Sequence, residues 1–185
     1  MNIKGKKITL RAIEKEDLEL MREMLNDPEM ENLVVGWAFP ISKYQQEKWY
    51  ENNINNNNNL RFIIETQDKE KVGMISLINL DWKNRKANYG IKLKNLKNRN
   101  QGIGTDSLLT LMKYSFEELN LNKIETTILE TNSISRNFHL KNGWQEEGLL
   151  REIVFKNGKY INGYAMGILK RDYEDLMKKN NYWNE

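Results

Sequence analysis

Apolar residues come in two rhythms along this chain, and the switches between them mark out its elements. Ile8 and Leu10 alternate with Lys7, Thr9 and Arg11, the period of a half-buried strand. Leu18, Met21 and Leu25 then recur at helical spacing over residues 14–25, and Pro28 stops that helix. A semi-apolar loop over 34–39, with Gly36 and Trp37, leads through Pro40 to Ser42, an N-cap for a helix over 43–53. Residues 52–59 are nearly all asparagine, a turn-forming connector with nothing to bury. Strands over 61–65 and 72–80 form a hairpin across polar 67–71. A further strand over 86–93 sets Tyr89, Ile91 and Leu93 on one face.

That last strand runs into Arg99-Asn100-Gln101-Gly102-Ile103-Gly104-Thr105. Two glycines one residue apart permit a tight turn, and Leu108, Leu109, Met112, Phe116 and Leu119 follow at helical spacing, so a glycine loop opens a helix. The first N–H groups of a helix lack partners within it and carry the positive end of its dipole; such a loop receives an anion, most often a phosphate. A P-loop is excluded, because Thr105-Asp106 stands where Lys-Ser/Thr is needed. A dinucleotide fingerprint fits only in part, with Ser107 in place of the third Gly or Ala and the loop far from the chain start. What remains is a pyrophosphate loop of the form Arg/Gln-x-x-Gly-x-Gly/Ala.

Downstream, 123–129 is rich in β-branched residues and reads as a strand, and 133–141 reads as a short helix closed by Asn142-Gly143. Strands over 146–155 and 160–169 flank Asn157-Gly158, a strong hairpin signal, before a terminal helix over 171–179. The order β-α-α-β-β-β-α-β-α-β-β predicts an α/β sheet of mixed pairing.

Two stretches carry a resemblance. Arg99, Gly102 and Gly104 resemble the acetyl-coenzyme A loop of the GNAT superfamily of N-acetyltransferases. Asn132-x-x-Ser135, continuing to Lys141-x-Gly143-Trp144 and Glu147-Gly148-x-x-Arg151, is similar to the second signature of that superfamily as found in its ribosomal-protein N-terminal acetyltransferase branch; polyamine acetyltransferases are a second branch. The resemblance runs from about residue 8 to 169. It implies the GNAT fold, a mixed central sheet of about seven strands flanked by about four helices, in a single domain over 1–185.

Composition narrows the chemistry. The chain has 185 residues, no cysteine and one histidine, so disulfides, cysteine nucleophiles and Cys- or His-built metal sites are not expected. A net charge of +3 with interspersed signs reads as a solvated surface, and the cluster Lys92, Lys94, Lys97 and Arg99 lacks the interleaved aromatics of a nucleic-acid platform. No apolar run approaches the roughly 20 residues of a membrane span, and the first residues lack the apolar segment of a signal peptide, so a cytoplasmic location is expected.

The resemblance also implies roles. Ile91, Lys92 and Leu93 would give main-chain contacts to the pantetheine arm of acetyl-CoA, and Arg99, Asn100, Gln101, Gly102, Ile103, Gly104 and Thr105 would hold its pyrophosphate. Asn132 and Ser135 would reach the arm and the thiol, with Ser135 a candidate proton donor; both residue types are also common helix caps. His139 stands where many GNAT enzymes place a tyrosine whose hydroxyl is taken as the acid. A histidine could donate a proton near neutral pH, and packing is the other reading. Glu130 and Glu152 are candidate bases. Trp37, Phe39, Trp49 and Trp82 could line the acceptor side, and Asp27, Glu29 and Glu31 would suit a cationic amine.

The function implied is direct acetyl transfer from acetyl-CoA, as co-substrate and without a metal, to a primary amine in a ternary complex. The acceptor is a protein N-terminus or a small amine. A non-catalytic acyl-CoA sensor or assembly module is the alternative, and the resemblance is compatible with a homodimer formed through the sheet edge or the C-terminal hairpin.

Overall fold

Each rhythm in the sequence becomes an element of a computed structural model that describes residues 1–36, 39–53, 56–94 and 101–184. The strands are β1 (Ile3–Lys4), β2 (Ile8–Arg11), β3 (Leu60–Thr66), β4 (Lys71–Asp81), β5 (Lys86–Leu93), β6 (Lys123–Leu129), β7 (Gln145–Lys156) and β8 (Lys159–Leu169). The α-helices are α1 (Leu18–Asn26), α2 (Pro28–Leu33), α3 (Lys43–Asn53), α4 (Ile103–Lys113), α5 (Ser133–Lys141) and α6 (Lys170–Asn180). The strands form one sheet in the order β1-β2-β3-β4-β5-β6-β8-β7. All neighbours are antiparallel except β5 and β6.

Eight strands and six helices among the described residues exceed the expected seven and four. The added strand is β1, a two-residue piece paired to β2. One added helix is α2, which arises because Pro28 both ends α1 and occupies the first turn of the next helix. Asp27 caps it, its carboxylate accepting from Glu29 N at 2.9 Å.

Strand alternation divides the core between two faces. On one, Ile64, Ile75, Leu77 and Tyr89 pack with Leu108, Leu111, Met112 and Phe116 of the α4 segment. On the other, Ile63 packs with Leu18 and Met21 of α1, with Trp49, Tyr50 and Met74 against them. Successive strand residues point to opposite faces, which is why Ile63 and Ile64 belong to different clusters.

Buried charges pin the ends of this frame. Asp106, in the first turn of α4 and fully buried, accepts from Lys6 N (3.0 Å), Lys7 N (2.7 Å), Ile8 N (3.0 Å) and Tyr182 Oη (2.7 Å), tying the helix start to the turn between β1 and β2, to the first residue of β2 and to Tyr182. Arg11 bonds Asp17 with both NH groups, at 2.7 and 3.0 Å, and Glu65 through Nε at 2.8 Å. Lys71 Nζ adds a second cation 2.8 Å from Asp17.

Candidate active site

The site begins where the sheet comes apart. β5 and β6 pair at only three positions, Lys86 with Lys123, Ala87 with Ile124 and Asn88 with Glu125. Beyond them, Tyr89–Leu93 and Thr126–Leu129 diverge. Their facing edges carry backbone donors and acceptors with no strand partner, a requirement that something else must meet. A cavity of about 820 Å³ passes through this gap. Gly90, Ile91, Lys92 and Thr126 to Ile128 border the gap, α5 contributes Asn132, Ser135 and His139, and α1 and α3 wall the other face with Met21, Gln46 and Trp49.

Helix α5 is aimed by its cap. Asn132 Oδ1 accepts from Ser135 N at 3.0 Å, and Asn132 Nδ2 donates to Leu33 O at 2.9 Å, so this side chain starts α5 and ties it to α2. Four residues on from Ser135, His139 is 2% exposed. Its ring lies edge-on to Tyr89 (5.6 Å), Phe138 (5.2 Å) and Trp144 (5.0 Å). His139 Nδ1 lies 2.7 Å from Ser135 O and 3.4 Å from Ser135 Oγ. A carbonyl oxygen only accepts, so Nδ1 carries the ring proton and Nε2 presents a lone pair. That Nε2 is buried without a partner among the described residues, as are Tyr89 Oη and Trp144 Nε1. Burial pushes the His139 pKa down to about 4, against the bond to Ser135, which raises it. The imidazole is therefore neutral near pH 7, and the expectation of an acid donating near neutrality is not met by its surroundings.

The glycine loop meets the start of α4 on the Leu93 side. Gly102 has φ +79, the left-handed conformation that glycine adopts without strain, and it caps α4. The first backbone bond of the helix is Asp106 N to Gly102 O at 2.9 Å, so the amides of residues 103–105 precede the ladder. Lys7 Nζ donates to Gln101 O at 2.6 Å, a cation beside the loop that no local pattern in the sequence marks. A Cβ on Gly104 would stand 3.5 Å from Leu93 and 3.8 Å from Phe138, in ordinary contact. Of the residues expected to hold pyrophosphate, Gln101 to Thr105 are brought together here; Arg99 and Asn100 lie outside the described residues, as do Lys97 and Trp37.

The acetyltransferase (GNAT) domain family matches residues 7–145. The chain belongs to this family. It is similar to the SPbeta prophage-derived uncharacterized N-acetyltransferase YokL of Bacillus subtilis, 31% identical over 92% of this chain and 94% of that protein. The putative ribosomal N-acetyltransferase YdaF of Bacillus subtilis is 36% identical over 58% of each chain. Among solved structures, spermidine N-acetyltransferase from Vibrio cholerae in complex with CoA and spermine superposes with a TM-score of 0.86 at 28% identity, over 92% of this chain and 99% of that one. This chain is an acetyl-CoA-dependent N-acetyltransferase with the GNAT fold. A glycine cap with free helix amides and two unpaired strand edges fits acetyl-CoA.

Several expected residues of this GNAT enzyme fall elsewhere. Glu152 is exposed on β7 and does not line the cavity; the strand shifts register between Leu150 and Val154, and Glu152, at φ 52, bonds Asn162 Oδ1 through its amide at 2.9 Å. Glu130 holds Asn162 N and Nδ2, each at 3.0 Å. Asp27 caps α2 and Glu31 pairs with Lys156, while Glu29 is exposed; none of the three lines the cavity. Trp49 lines it, but Phe39 and Trp82 do not. What sequence reasoning missed is Arg61 and Gln46, together with the Lys92 side chain as part of the same polar lining of the α1 and α3 face, which comes together only when β3, β5 and α3 assemble.

Proposed function

We propose that this enzyme acetylates the primary amine of a small molecule by direct attack in a ternary complex, within a single domain. The observation that carries the reading is that one cavity reaches both faces of the sheet through the gap between β5 and β6. Acetyl-CoA supplies an activated acetyl group with a thiol as leaving group. The main chain of Ile91, Lys92 and Leu93 binds its arm along the open edge of β5, and Gln101 to Thr105 receive its pyrophosphate at the start of α4. A backbone N–H of the open edge polarises the thioester carbonyl as charge develops on its oxygen.

Ser135 Oγ gives a proton to the departing sulfur, and the proton shed by the attacking nitrogen restores it. Neutral His139, its N–H spent on the carbonyl of Ser135, holds that turn of α5 in place. A chamber walled by α1, α2 and α3 supports a small amine over a protein N-terminus. The test is calorimetric titration with acetyl-CoA, followed by thiol release with small amines and N-terminal peptides. Binding with faster release for small amines is expected; a preference for peptides overturns the acceptor assignment, and failure to bind acetyl-CoA overturns the site.

A further inference from the structure

The strand register fixes which side chains share the acceptor face. Arg61 pairs with Ser76, and Ser76 with Gly90; Ile63 pairs with Met74, and Met74 with Lys92. Directly opposed strand residues point to the same face. Ile63 and Met74 belong to the cluster against α1 and α3, so Arg61 and Lys92 point into that chamber, away from the glycine loop. Both line the cavity, and no Asp or Glu among the described residues does.

Among the described residues neither cation is matched by a carboxylate. Arg61 stacks over Trp49, its guanidinium carbon 5.3 Å from the ring centre, and Trp49 accepts no proton from it. Burial lowers the pKa of both cations, the direction taken when a charge loses water and gains no counter-charge. Gln46, 2% exposed, lines the same cavity with its amide nitrogen unpaired among the described residues. Guanidinium, ammonium and amide nitrogens are donors only. Among the described residues a chamber furnished this way has no carboxylate to pair a second ammonium group, and it offers several donors, two of them cationic, to an anion.

We infer that the amine acetylated here carries an anionic group, a carboxylate or a phosphorus oxyanion, held by Arg61 and Lys92. The inference rests on the acceptor chamber assigned above and names its substrate class. It sets this chain apart from a polyamine acetyltransferase even where fold and coenzyme loop agree. A bidentate guanidinium orients a planar carboxylate or a phosphate oxygen pair, and Lys92, on the open strand, sits between that anchor and the sheet gap.

Matched acceptors test it: butylamine, 1,4-diaminobutane, 4-aminobutyrate and 3-aminopropylphosphonate, each with saturating acetyl-CoA and the full chain. The acidic amines are expected to exceed the neutral and dicationic ones at least tenfold in kcat/KM, and the carboxylate and phosphonate arms separate the two anion sources. Arg61→Gln should raise KM for the acidic acceptor at least tenfold while leaving the KM of acetyl-CoA within twofold, and Lys92→Gln should likewise raise KM for the acidic acceptor at least tenfold. Ser76→Glu, which sets a carboxylate beside Arg61, should shift preference toward the diamine.

Binding of the same four amines, followed by fluorescence of the tryptophans, reads the order without turnover. A diamine preferred by the unaltered enzyme, an acidic preference that survives both glutamine variants, or no binding of either acidic amine overturns the inference. Acetyl-CoA binding and thiol release would stand in all three cases, so the acetyltransferase reading fails separately.

Discussion

His139 gives its only ring proton to the carbonyl oxygen of Ser135, 2.7 Å away and one helical turn back. This bond sets the tautomer and spends it. The native imidazole stays neutral down to about pH 4, whereas the unfolded one takes up a proton below about pH 6.5. Stability from this residue is therefore complete above pH 6.5 and falls by about 3 kcal/mol as pH drops toward 4. Thermal melts between pH 7 and 4 check this, and His139→Phe should flatten that part of the curve. A pH–rate profile with an inflection near 6.5 that disappears in His139→Phe would show the imidazole titrating in the folded enzyme, contrary to its burial.

Gly102 and Gly104 separate backbone needs from ligand needs. Gly102→Ala forces a side chain into φ +79, costing about 1–2 kcal/mol, and sets a Cβ 3.1 Å from Lys7 Nζ. Gly104→Ala meets only ordinary contacts, so its melting temperature should stay within a few degrees. Both should weaken acetyl-CoA at least tenfold by calorimetry, because phosphate must approach these backbone atoms closely. Unchanged affinity in Gly104→Ala would remove the loop from the coenzyme site.

The open end of β5 is shaped by a residue on the neighbouring strand. A Cβ on Gly73 would stand 2.1 Å from Lys92 O and 2.9 Å from Leu93 Cα, both main chain, so β5 must move to admit it. Gly73→Ala should cost about 2–3 kcal/mol, the scale of overpacking, and displace the stretch proposed to bind the coenzyme arm. Denaturant titration and the KM for acetyl-CoA report the two effects; a wild-type KM would show that the end of β5 tolerates the shift.

Asp17 makes the fold acid-sensitive in a lower window. Burial raises its pKa, but bonds from Arg11 and Lys71 outweigh this and hold it at about 2. A depressed carboxylate stabilises in full above its unfolded value near 4 and loses that contribution as pH falls through 2. Asp17→Asn, which takes the carboxylate from Lys71 and leaves Arg11 with Glu65 alone, should destabilise by about 3 kcal/mol at pH 7 in urea unfolding.

The parts legible in the sequence are those written locally. The helix start at Gly102, the strand β5, the capped helix at Asn132 and the Asn157-Gly158 hairpin each depend on a few adjacent residues, and among the described residues each stands where its pattern predicts. Pro28 as a stop signal gives no hint of α2, because the same residue that closes α1 occupies the first turn of the next helix. Glu152 can be read in the sequence only as an acidic residue on the β7 strand; the register shift between Leu150 and Val154, which has no local sequence signal, leaves it exposed and outside the cavity. Arg61, Lys92 and Gln46 carry no shared motif; they lie on three elements, and their meeting is a product of strand order. Lys7 reaches Gln101 across 94 positions for the same reason.

The three-residue seam between β5 and β6 makes the sheet mechanically two panels, β1 to β5 and β6 with β8 and β7. Strand pairing is far longer within each panel than across the three-residue seam, so the crease is where the molecule can flex at least cost. A coenzyme lying in that crease would act as a spline as well as a reactant, locking the panels at one angle. Loading the enzyme should therefore slow amide exchange far from the bound molecule, throughout the panel that touches it least.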